Sequence, residues 1–215
     1  MKTDDLIAAL VEDTRPVAPG VVQRRLLSFV LSGLFGSVAL MMAWLPPRPD
    51  LMQAMHGMFY WEKSLYTLSF AVAGALAIER LARPGGAAPA MAGILLGAAA
   101  ALMAVAGLVG LMLAPPDQRL LMWLGDSWRM CSMRVVVLAV PLTATALLAA
   151  RSLAPTRLAE AGFAAGLLSG GLSATVYALH CPESTAAFVV TWYSLGMLAC
   201  GLIGALLGPR VLRWR

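Results

Sequence analysis

From Arg25 onward, apolar blocks close to twenty residues long alternate with short polar stretches. A bilayer's hydrocarbon core takes about 20 predominantly apolar residues per helix. The pattern therefore predicts six spans: Leu26–Trp44, Phe59–Ile78, Ala88–Ala114, Met130–Ala150, Leu158–Leu179 and Ala186–Gly208. The second and fourth carry charge at their leading ends, with Glu62 and Lys63 in one and Arg129 and Arg134 in the other. The predicted fold class is all-α: a polytopic membrane protein, a compact bundle of six transmembrane helices joined by short loops. Residues 26–208 form that membrane domain, 1–25 a polar tail and 209–215 a basic C-terminus. Small residues such as Gly166, Gly170, Gly171, Gly196, Gly201 and Gly204 punctuate the last two blocks. They let helix backbones approach closely where lipid removes the hydrophobic drive between helices.

The tail has a different pattern. MKTDDLIAALVEDTR places Leu6, Ile7, Leu10 and Val11 on one face of a helix, with Asp4, Asp5, Glu12, Asp13 and Arg15 around it. Thr3 can cap it, and Asp4 and Asp5 suit the positive end of the helix dipole. Pro16 and Pro19-Gly20 end it and connect it stiffly to the first span. This is the one segment sized to bind a partner in an aqueous compartment.

Composition agrees with a membrane block: 60% of the 215 residues are hydrophobic, 13% are charged, and the mean hydropathy is +0.79. Charged residues make up roughly a quarter of a soluble domain. No polar stretch exceeds about 25 residues, well short of a soluble catalytic domain. The stretch before the first span is acidic and long, and Leu45-Pro46-Pro47 offers no small-residue cleavage site, so that span is expected to be retained. On alternate sides of six spans the Lys and Arg residues divide eleven to five, the larger group including Arg24, Arg25, Arg80, Arg83, Arg151, Arg157 and Arg210. The positive-inside rule then places both termini in the cytoplasm.

Candidate chemistry is sparse. Cys131 and Cys181 fall near the same outer surface, where an exported bacterial face is oxidising. Cys181-Pro182 is expected at the start of the sixth span and Cys131 is flanked by Arg129 and Arg134, settings that favour thiolate unless burial opposes them. The pair suits a sensor, a permanent disulfide staple or two inert buried thiols. Cys200 is expected to be a packing residue inside the sixth span. His180 and Glu183 bracket Cys181, so Cys131, Cys181, His180 and Glu183 form a candidate soft-metal set. His56 among Met52, Met55 and Met58 is another such patch, although an interfacial helix explains the methionines equally. Glu62 and Lys63 are expected to face different directions and reach interfacial water. The chain lacks Cys-x-x-Cys and His-Glu-x-x-His. It also has almost no ionisable residue at mid-depth, where proton relays and transporters need one. An enzyme is not expected. The rival class is a small multi-span transporter or channel for a metal or hydrophobic compound.

The opening MKTDDLIAALVEDTRPV, Trp128-Arg129-Met130-Cys131, Ala154-Pro155-Thr156-Arg157 and Tyr177-Ala178-Leu179-His180-Cys181-Pro182-Glu183, followed by Phe188 and Trp192-Tyr193, resemble the NrsF family. These are bacterial inner-membrane negative regulators of extracytoplasmic-function sigma factors. The resemblance implies an anti-sigma factor that holds its sigma factor at the membrane until heavy-metal or oxidative stress reaches the outer side. It implies that the family's two characteristic cysteines are Cys131 and Cys181. It also implies that the partners are a sigma factor and the bilayer, with no direct nucleic-acid contact. No resident cofactor is expected, only transient heavy-metal binding at the cysteines.

Overall fold

The computed structural model describes Thr3 and residues 20–213 except 84 and 154; the tail carrying Asp4, Asp5, Leu6, Ile7, Leu10, Val11, Glu12, Asp13 and Arg15 lies outside the described residues. Helix α1 (Val21–Trp44) leads to a short α2 (Leu51–His56), α3 (Met58–Leu81), α4 (Ala90–Leu113), a second short helix α5 (Pro116–Leu124), α6 (Trp128–Arg151) and α7 (Leu158–Tyr177). A last rod follows, built from α8 (Ala186–Phe188), a π-helical turn (Val189–Tyr193) and α9 (Ser194–Val211). Prolines set several of these boundaries. Leu45, ahead of Pro46-Pro47, is pushed to extended backbone at φ −128°, and α5 carries Pro116 in its first turn.

Helix α7 sits at the centre, flanked by α3, α6 and α9, while α1 packs on α6 and α4 lies against α3 and α8. Among the described residues five stretches are long and apolar enough to cross a membrane: Gln23–Trp44, Met58–Leu81, Ala90–Leu113, Pro116–Arg151 and Ala186–Val211. The predicted fifth span, now α7, is not among them. Its residues are mainly Ala, Gly, Ser and Leu, and fourteen of its twenty are buried. A helix wrapped by protein on most sides has little need of the apolar surface that lipid demands. Helix α4 is the opposite case, since only 11% of its apolar stretch is buried, against 61% for α3.

Close backbone contact holds the centre together. A Cβ added at Gly162, Gly166, Gly204 or Gly208 would collide with backbone atoms of the facing helix, α9 for the first two and α7 for the others. Gly74 and Gly171 make equally close contacts between α3 and α7. Cys200 is 2% exposed in the α7–α9 seam, its carbonyl against Gly166 and its Cβ against Gly170. Polar links add to these contacts: the Thr67 and Thr175 hydroxyls are 2.8 Å apart across α3 and α7, and Tyr66 of α3 bonds Ser194 of α9.

The bundle has two ends. At one, Gln23 donates to Glu79 (2.7 Å), Arg25 to the Ser152 carbonyl (3.4 Å), and the Gly85 N–H to Thr156 (3.2 Å). The chain passes through Gly20 into α1 here, so this is the tail end. At the other, α3 and α6 begin, α7 ends, and both Cys131 and Cys181 are buried in one hydrophobic cluster.

Candidate functional site

Two helix ends bring the thiols together. Ser127 precedes α6, and its carbonyl accepts the Cys131 N–H at 2.9 Å, which sets Cys131 in the first turn of that helix. At the end of α7 the Tyr177 carbonyl accepts the Cys181 N–H at 3.0 Å, just before Pro182 breaks the turn. Each cysteine is 0% exposed and each is a free thiol. Phe188, Tyr177, Tyr193, Val135 and Met197 share their cluster. Tyr177 lies beside Cys131 and Tyr193 beside Cys181, and both tyrosine hydroxyls are buried without a hydrogen-bond partner of good geometry. The Cys181 sulfur is 3.9 Å from the Ser127 hydroxyl.

The segment 180–183 closes this cluster and touches nearly every element at the thiol end. His180 pairs its Nδ1 with the Pro46 carbonyl at 2.7 Å, and its Nε2 faces Arg134 at 3.4 Å. The Arg48 N–H donates to the Leu179 carbonyl (3.1 Å), and its guanidinium reaches the Cys181 carbonyl (3.5 Å). That guanidinium also grips Asp50 through two bonds of 2.7 and 2.6 Å. This hydrogen bonding holds the Asp50 carboxyl below the ordinary aspartate range. The Glu183 carboxylate accepts from the N–H groups of Asp126 (2.9 Å) and Ser127 (3.1 Å) and from the Ser127 hydroxyl (3.2 Å). It therefore caps the start of α6, four residues before Cys131, at the end of the helix that favours negative charge. Gly125, at φ +59°, makes room for this cap, because a side chain there would strike the Glu183 carboxylate and Phe188.

Several sequence expectations change here. Helix α8 begins at Ala186, so Cys181 is not in a helical first turn, and Pro182–Thr185 has no helical structure. The arginines beside Cys131 have other partners: Arg129 lies over the Trp128 ring at 5.3 Å, and Arg134 faces His180. Lys63 does not reach water. It is 1% exposed and donates to the carbonyls of Cys181 (3.2 Å) and Glu183 (3.0 Å), whereas neighbouring Glu62 is exposed as expected. Cys131, Cys181, His180 and Glu183 are not assembled as a ligand set, because Glu183 is committed to the α6 cap. Among the described residues no group of three or more His, Cys, Asp or Glu side chains is placed to hold a metal ion. In α2, His56 bonds the Met52 carbonyl at 2.7 Å, and Met52 and, at the start of α3, Met58 are largely exposed.

An open cleft of about 730 Å³ lies over this segment, lined among others by Arg48, Arg129, Arg134 and His180 and by Asp50, Asp126 and Glu183. Beside it Trp123 donates to Thr191, Trp192 donates to the Trp123 carbonyl (both 3.1 Å), and Thr185 bonds the Met122 carbonyl (2.7 Å). These bonds tie α5 to the π-helical turn and to the residue that precedes α8. Ser132 of α6 bonds the Trp192 carbonyl at 2.7 Å, so this turn is held from the Cys131 helix as well. Sequence reading missed Lys63, Ser127, Gly125, Tyr177 and Tyr193 as parts of the site. Lys63 carried a signal as an ionisable residue inside an apolar block, and Tyr177 and Tyr193 stood in the motifs that carry the resemblance.

This fold defines a helical bundle with stretches apolar enough to cross a membrane, closed at one end over two buried free thiols. Comparison with known proteins narrows the class. The chain belongs to the NrsF family, negative regulator of sigma F, whose model matches residues 10–214. It is 48% identical to the anti-sigma-F factor NrsF of Caulobacter vibrioides over 222 aligned positions covering 100% of both chains. It is 41% identical, again over 100% of both, to a probable anti-sigma-F factor NrsF of Azospira oryzae. No solved structure matches the chain.

Proposed function

We propose that this protein is a membrane-bound anti-sigma factor. It sequesters an extracytoplasmic-function sigma factor through residues 1–20 and releases it when a heavy metal or an oxidant alters Cys131 and Cys181. In this reading six helices cross the bacterial inner membrane, including the small-residue α7, and both termini are cytoplasmic. The thiol end faces outward and the tail end inward. Full-length likeness to two relatives named as anti-sigma-F factors carries the proposal. The placement of two free thiols in one cluster, at the end opposite the tail, supports the sensing half; their burial opposes thiolate formation, so in this reading the signal must first open the cluster.

The tail's chemistry suits such a partner. An acidic helix with an apolar face can occupy a hydrophobic groove on a sigma factor and meet basic residues used for DNA or polymerase. Ordering the tail on binding would consume part of the contact energy and leave an affinity that modest changes shift. The proposed mechanism requires the bundle to have two states, and a coupling of about 1–3 kcal/mol between its ends would change partner affinity by about 5- to 150-fold. The test is affinity capture of the full chain and of a chain lacking residues 1–20 from unstressed cells. A sigma factor retained only by the full chain supports the proposal, and equal retention by both would place the binding surface elsewhere.

A further inference from the structure

We propose that Lys63 is the latch of the thiol site, a buried cation that pins the Cys181–Glu183 segment to α3 and carries its movements toward the tail end. This deepens the sensing reading above and rests on it. Lys63 stands in the second turn of α3, its ammonium 3.2 Å from the Cys181 carbonyl and 3.0 Å from the Glu183 carbonyl. The face of Tyr193 lies 5.8 Å from the same nitrogen, completing its surroundings with a cation–π contact. The salt bridges among the described residues join Arg48–Asp50, Arg83–Glu79 and Arg157–Glu160, so Lys63 has no carboxylate partner there.

A buried charge without a counter-ion persists only where other groups replace its hydration. Here that role falls to two backbone carbonyls of the very segment that carries Cys181. An ammonium has three N–H donors and no acceptor, so loss of either carbonyl leaves a buried donor unsatisfied. Lys63 and the segment therefore depend on each other: chemistry at Cys181 that displaces its carbonyl also unseats Lys63. Arg48 cannot substitute, because it reaches the same carbonyl only at 3.5 Å and is committed to Asp50.

Helix α3 is placed to carry the change. Below Lys63 it is tied to α9 by Tyr66 and to α7 by Thr67, then by the close contacts of Gly74 and Gly171. Near its far end Glu79 holds Gln23, three residues beyond Gly20 on α1. One helix thus spans from the thiol segment to the base of the tail.

The experiment compares the wild type, Lys63→Met and Lys63→Arg as full-length chains. Met keeps the length and removes the donors, while Arg keeps the donors. Purified chains in detergent are labelled with N-ethylmaleimide, and the rate at Cys181 is read by peptide mass mapping. Sigma-factor retention is measured on membranes from unstressed cells. Lys63→Met is expected to label Cys181 at least about fivefold faster and to lower retention by about 5- to 150-fold, the range of typical coupling energies. Lys63→Arg should stay near wild type in both. A wild-type labelling rate in Lys63→Met overturns the latch, and faster labelling with unchanged retention overturns the transmission. If Lys63→Met fails to accumulate, Lys63→Gln, too short to span both carbonyls, replaces it under the same criteria. Wild-type membranes that retain no sigma factor would defeat the functional reading alone, since the labelling arm does not depend on it.

Discussion

Substituting alanine for glycine should have opposite effects at Gly166 and Gly97. At Gly166 the new methyl group would meet the carbonyl of Cys200 and the Cα of Gly201, backbone atoms with no rotamer to yield. At Gly97 nothing lies within 4 Å. In a helix interior alanine is favoured over glycine by about 1 kcal/mol. Overpacking costs about 1–3 kcal/mol, and a collision with backbone belongs at the upper end of that range. Gly166→Ala should therefore lose about 2 kcal/mol net, while Gly97→Ala gains up to about 1 kcal/mol. The Cys200 thiol, buried in the same seam, reports the outcome. Its maleimide labelling in detergent micelles should rise about 30-fold in Gly166→Ala, the population change expected from 2 kcal/mol, and should not rise in Gly97→Ala. Equal labelling of Cys200 in the two variants would refute the close-packed α7–α9 seam as the structural centre.

Other tests address the thiol end. Glu183→Gln keeps the shape of the α6 cap and removes its charge, so thermal unfolding should show a loss of about 0.3–1 kcal/mol; Glu183→Ala should lose about 1 kcal/mol more. Thr67→Val removes the hydroxyl bond to Thr175 and should destabilise the α3–α7 contact by about 0.6 kcal/mol in the same assay. The Asp50 carboxyl titrates lower in the fold than in an unfolded chain, so its pairing with Arg48 is fully present above the ordinary aspartate value near 4 and is lost as pH falls through the lower folded value. Protection of the Arg48 amide, which bonds the Leu179 carbonyl, should accordingly decline only at the acid end, and Asp50→Asn should remove that pH dependence.

The helical class and most helix positions were legible because lipid imposes a simple requirement, about 20 apolar residues in a row. Helix α7 shows where that signal weakens: as neighbours cover it, small residues for backbone contact matter more than apolar surface. The glycines were readable as contact residues, although their partners on α3 and α9 depend on crossing geometry that no single segment encodes. At the site, sequence singled out Cys131, Cys181, His180 and Glu183 but not what Glu183 does. Its role as the α6 cap requires segments more than fifty residues apart to meet. Lys63 shows the limit most clearly. An apolar block with a charge near its end suggests snorkelling to water, and only the 180–183 segment lying over α3 shows that carbonyls take water's place.

In the proposed mechanism a change at the two thiols frees a sigma factor held at the opposite end. Sigma-dependent transcription in cells carrying Cys131→Ser, Cys181→Ser or both, before and after heavy-metal or oxidant stress, tests it most directly. The variants are expected to be stable and membrane-inserted, to keep transcription repressed and no longer to respond to stress. Normal induction in the double variant would contradict it.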